Sequence, residues 1–200
     1  MTHSYNEFLG VAAGIISVMA FVPYVVAIFR GRTRPSGPSW WAWTLINLVV
    51  FLSAWAAGAG WEVLVLPAWL CLSELFVAIL SVGRGDNKWD WTNIVCVAGA
   101  CIGITLWYLT GQPLIALTFS IGADLLAFIP TFRHAWQSPQ EEDRLGWTLG
   151  WLSAVCEVFA VGHWSLAEAG WPVYYVLGMT LVLVFVWRPV FGRAPMRRIF

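Results

Sequence analysis

Charge is what this sequence has least of. Only 11% of its 200 residues are Asp, Glu, Lys or Arg, against 60% hydrophobic, too little polar surface for a soluble domain of this size. A sole lysine, Lys88, stands in a connecting segment, so no lysine in the last apolar run is available to form a Schiff base with retinal. The three histidines (His3, His134, His163) are scattered, which removes a His-rich metal cluster of the kind an intramembrane hydrolase needs. The four cysteines (Cys71, Cys96, Cys101, Cys156) form no C-x-x-C pair, so neither a zinc site nor a disulfide framework is indicated. They read as small packing residues. The leading segment, residues 1–7, lacks Lys and Arg, and the apolar run after it is longer than a signal-peptide core.

What is present is apolar sequence in long blocks. Runs of about 20 residues suit an α-helix crossing a hydrocarbon layer about 30 Å thick. Seven are read: 8–29, 40–59, 61–83, 91–110, 113–133, 147–162 and 171–187. They are solidly apolar rather than alternating, which excludes a transmembrane β-barrel. The expected class is an all-α membrane protein with seven transmembrane helices.

The basic residues follow one rule. Arg30, Arg32, Arg34, Arg84, Lys88, Arg133, Arg144, Arg188, Arg193, Arg197 and Arg198 all fall in alternate connections or the C-terminal tail. The other connections contain none. The positive-inside rule then predicts an outside N-terminus and a cytoplasmic C-terminus; the expected location is a bacterial inner (plasma) membrane. Many of the fifteen tryptophans sit at run boundaries, as interfacial anchors do: 40, 41, 89, 91, 147 and 187 on one side, 61, 107, 164 and 171 on the other. Trp69 and Trp151 fall deeper, and Trp151 is a candidate cavity wall. Ser4 and Glu7 have capping-box spacing, and the run near 141–143 reads as a solvated acidic face.

A duplication sets the plan. Ala20-Phe21-Val22-Pro23 returns as Ala127-Phe128-Ile129-Pro130, with Trp147 matching Trp40 at the same spacing of 107 residues. Gly60-Trp61 returns as Gly170-Trp171 at a spacing of 110. Each half would be a three-helix bundle, and a linker helix between them restores the same orientation: residues 1–83, then 84–112, then 113–200. This is a 3+1+3 arrangement of parallel repeats. Pro23 and Pro130 would kink or hinge the helices that carry them.

The sharpest chemical signal is acidic. Glu74, Asp124 and Glu157 fall inside the third, fifth and sixth runs, with no Lys, Arg or His at comparable depth. An ionised carboxylate at the centre of a bilayer costs about 2.5–3.5 kcal/mol or more. Each must therefore be protonated, hold a cation, or face a water-filled cavity. The bland alternative is that a protonated carboxyl hydrogen-bonds a neighbour and helps helices associate. Asn47 and Ser17 are plausible polar lining, and Asp124 matches Ser17 across the two halves.

Apolar helix, proline, short basic loop and a Trp opening the next helix resemble the PQ-loop and SWEET superfamily of membrane transporters. The resemblance is carried by Pro23-Tyr24, by Arg30-Gly31-Arg32-Thr33-Arg34-Pro35-Ser36, and by Pro130-Thr131. The glutamine of the family motif is replaced by Tyr24 and Thr131, and the Pro139-Gln140 pair lies in a loop. The asparagines that SWEET sugar carriers place in the third helix of each repeat are missing. The resemblance implies a small-solute transporter or facilitator, with alternating access around a midplane polar site and possible proton coupling. Its expected partners are the lipid bilayer and a small-molecule solute, with a homo-oligomer open; no enzyme activity, cofactor, metal or nucleic acid is expected. A seven-helix receptor, or an accessory subunit without transport activity, is the alternative.

Overall fold

The computed structural model describes residues 2–31, 35–85, 87–137, 139–140, 142 and 144–191. Arg32, Arg34, Glu141, Asp143, Arg193, Arg197 and Arg198 lie outside these. The described elements are all α-helical: α1 (Thr2–Phe29), α2 (Gly37–Ala56), α3 (Trp61–Arg84), α4 (Trp91–Thr110), α5 (Pro113–Gln137), α6 (Arg144–Ala160) and α7 (Leu166–Phe191). In hydrocarbon no water can satisfy a backbone N–H or C=O, so helices, which pair these groups internally, are what such apolar runs form.

Five helices, α1, α2, α3, α4 and α7, are long and apolar enough to cross a membrane. The apolar part of α5 is a shorter segment, Pro113–Ile129, and α6 has 17 residues. At 1.5 Å per residue, α6 is about 26 Å long.

The helix ends follow local chemistry. Pro38 occupies the first turn of α2, where its missing N–H has no partner to lose. The Asp90 carboxylate accepts a hydrogen bond from the Asn93 N–H at 2.8 Å and caps α4. Gly111, at φ +67°, ends α4 in the left-handed conformation that favours glycine. Three boundaries differ from the sequence expectation. α1 already includes Ser4, so Ser4 and Glu7 do not form a starting cap. α7 begins at Leu166, five residues before Trp171, and Pro172 lies inside it. α6 begins at Arg144 rather than Trp147.

Packing joins the helices in a regular way. α3 packs against both α1 and α2, and α7 packs against both α5 and α6. Between these two sets α1 lies on α6 and α2 lies on α5, with smaller contacts of α3 on α6 and α2 on α7. α4 packs on α5 and α2. Small residues set the close approaches. A Cβ on Gly10 would collide with the backbone carbonyl of Glu62, so α1 meets α3 backbone to backbone there. Gly103 lets α4 approach Phe119 and Ala116 of α5 in the same way.

Arginines gather at one end, here the basic end. Arg84 of α3 stacks over Phe29 of α1 at 5.3 Å, and Arg144 of α6 over Trp187 of α7 at 5.6 Å. Arg188 of α7 lies 3.9 Å from the Trp136 ring centroid of α5 and donates to the Trp136 carbonyl at 2.9 Å. These contacts cover cations with ring faces and tie helix ends together.

Candidate functional site

The three acids singled out from the sequence come from three helices and are all buried: Glu74 in α3 is 7% exposed, Asp124 in α5 3% and Glu157 in α6 0%. Glu74 and Asp124 lie within electrostatic reach of each other. Tyr175, in α7, lies within electrostatic range of all three. Helices α3, α5 and α6 thus each place a carboxyl within electrostatic range of one tyrosine. No lysine, arginine or histidine pairs with any of the three among the described residues.

Each acid has a different local partner. The Asn47 side-chain amide of α2 donates to both Glu74 oxygens, at 3.0 and 3.2 Å, and reaches the Trp43 carbonyl at 3.4 Å. The Tyr174 hydroxyl donates to Asp124 Oδ2 at 2.9 Å. Among the described residues, neither oxygen of Glu157 has a hydrogen-bond partner. Unlike the other two, Glu157 is not mid-helix: α6 ends at Ala160, so it stands in the last turn. A buried polar group without a partner forfeits the hydrogen bonds it made in water. Glu157 therefore differs in kind from Glu74 and Asp124, whose partners are built in.

Aromatic residues enclose the Asp124 side. Trp171 is 2% exposed, stacks on Tyr175 with ring centroids 5.5 Å apart, and packs with Ile46, Val50 and Leu117. Its expected place in the outer aromatic belt is thus corrected: α7 starts earlier than the apolar run, which carries Trp171 past the first turn and into the core. Tyr174 also contacts Phe128 edge-to-face at 6.4 Å.

The other residues singled out from sequence lie as follows. Ser17 is buried in α1 and makes no hydrogen bond to the carboxyls. Trp151 donates its indole N–H to Thr180, an exposed residue of α7, at 2.9 Å, and packs near Met179 and Val182. Pro23 lies within α1 and Pro130 within α5. Tyr174 and Tyr175 were not singled out. The available signal was a pair of tyrosines, out of five in the chain, inside an apolar run, where each phenol needs a polar partner.

The described residues contain no group of three His, Cys, Asp or Glu side chains arranged to hold a metal ion. The arrangement consists instead of carboxyls and phenols, groups that exchange protons or solvate a cation. No family model matches the chain, and no curated protein or solved structure shows significant similarity to it.

Proposed function

We propose that the protein is a small-solute membrane transporter or facilitator of PQ-loop/SWEET type, working by alternating access around Glu74, Asp124 and Glu157. The observation that carries this reading is the burial of three base-free carboxyls from separate helices, all within electrostatic range of Tyr175. Packing alone gives no reason to keep three acids there, whereas a carboxyl that gains and loses a proton as its exposure alternates is a natural coupling group.

The packing pattern supports a 3+1+3 plan with seven crossings. If α1, α2 and α3 correspond to α5, α6 and α7, the contact of α1 with α6 becomes that of α5 with α2, and α3 with α6 becomes α7 with α2. Every contact within and between the two triples then has its counterpart, and α4 is the linker. The arginines at one end support a cytoplasmic basic end, with the N-terminus outside in a bacterial-type inner membrane. Asn47 and Tyr174 are assigned as partners of the acids, Ser17 and Trp151 as outlying lining, and Pro23 and Pro130 as the bends on which the halves move.

The test is solute and proton flux in proteoliposomes with and without an imposed pH gradient. Flux driven by the gradient, and lost in Asp124→Asn and Glu74→Gln, is the expected result. Undiminished flux in both variants would remove the acids from the mechanism.

A further inference from the structure

A crevice of about 110 Å³ opens near the basic end between α2, α4 and α5. Its lining includes Ser39 and Trp43 of α2, Asp90 and Asn93 at the start of α4, and Ala127 and Thr131 of α5. That volume exceeds what a single water needs, and the walls carry several hydrogen-bonding groups. Ser39 Oγ donates to Asn93 Oδ1 at 3.1 Å across the α2–α4 wall. At the mouth Asp90 is exposed.

The floor of the crevice adjoins the acid site. Ala127 is one helical turn from Asp124, about 4.5 Å of rise, and Trp43 one turn from Asn47, about 6 Å. The Trp43 carbonyl accepts from the same Asn47 amide that holds Glu74. Cys96 of α4 donates to the Ala123 carbonyl at 3.2 Å and lies within electrostatic reach of both Asp90 and Asp124. A single turn of α5, with Cys96 beside it, thus separates the crevice lining at Ala127 from Asp124 in the interior.

The geometry points to this crevice as the proton pathway between water at the basic end and Asp124, with the Trp43 and Ala127 turns as its inner closure. This rests on the transport reading above and adds a coupling ion and a route. Water fills the crevice and relays protons past Asp90 and Asn93; an outward swing of the Trp43 indole joins that water to Asp124. The titratable groups facing Asp124 are Tyr174 and Tyr175 of α7, Glu74 of α3 and Cys96 of α4. Of these, Glu74 is the other carboxyl, the group that can share the proton with Asp124.

Ala127→Cys, with Thr131→Cys as a second position, tests the route in the full chain in vesicles of sorted orientation. A membrane-impermeant methanethiosulfonate added at the basic end should label the new thiol several-fold more than the parent's own cysteines, and addition at the opposite end should not. Labelling should slow hydrogen–deuterium exchange of the buried carboxyl band in the infrared several-fold, and a reducing agent should restore it. The route is overturned if neither thiol labels above the parent, or if full labelling leaves exchange unchanged. Loss of solute flux in the parent with these exchange effects intact would instead sink the transport reading and leave the pathway standing.

Discussion

Glu157 is fully buried, and both its oxygens lack partners among the described residues. A protein selected for stability alone would gain by replacing it with an apolar residue of similar size. Leaving a buried polar group unpaired costs about 1–3 kcal/mol. Glu157→Leu is therefore expected to raise the thermal unfolding midpoint in detergent, read by tryptophan fluorescence, while abolishing flux. A lowered midpoint would mean that Glu157 is a structural hydrogen-bonding residue after all. At this scale the sequence was informative about the acids and about Asn47, which holds Glu74, and silent about Tyr174. Glu74, Asp124 and Glu157 stand out because charge is so rare around them. Tyr174 and Trp171 do not, because an aromatic in an apolar run has the same composition whether it faces lipid or the interior.

Among the elements, α1 and α3 show how a glycine sets a distance. Gly10 meets the Glu62 backbone with no room for a Cβ. Gly10→Val must push the helices apart, and overpacking of this kind costs about 1–3 kcal/mol. The expected outcome is a lower unfolding midpoint, whereas Gly83→Ala, where a Cβ meets nothing within 4 Å, should leave it nearly unchanged. Equal midpoints for the two variants would show that the contact is loose. Helix existence was legible because every apolar block became helical. The ends were less so: α6 and α7 start before the apolar runs that announced them, since Arg144 and Glu168 can sit in a first turn without breaking hydrophobic continuity. Which face is buried was not legible either. A helix that is apolar all round carries no stripe to mark its inner side.

For the whole molecule, the contacts between the triples matter most. The Ser153 hydroxyl of α6 donates to the Ala13 carbonyl of α1 at 2.8 Å. Cysteines at these positions, Ala13→Cys with Ser153→Cys, should cross-link on oxidation and stop flux until a reductant is added. Full cross-linking with unchanged flux would show that α1 and α6 never part during the cycle. The duplicated Pro-containing segments hinted at paired triples from sequence alone. The interleaving of α1 with α6 and α2 with α5 was not deducible, because so few residues are shared between the halves that no facing surface can be matched.

The placement of α4 makes the two lines of contact between the triples unequal. It lies along α2 and α5, which α7 also borders, while α1 and α6 meet beside α3. The molecule is thus bound like a book, with α4 as its spine and the α1–α6 line as the free edge. Covers joined in this way part widest at the edge away from α4, where α3 bridges from α1 to α6.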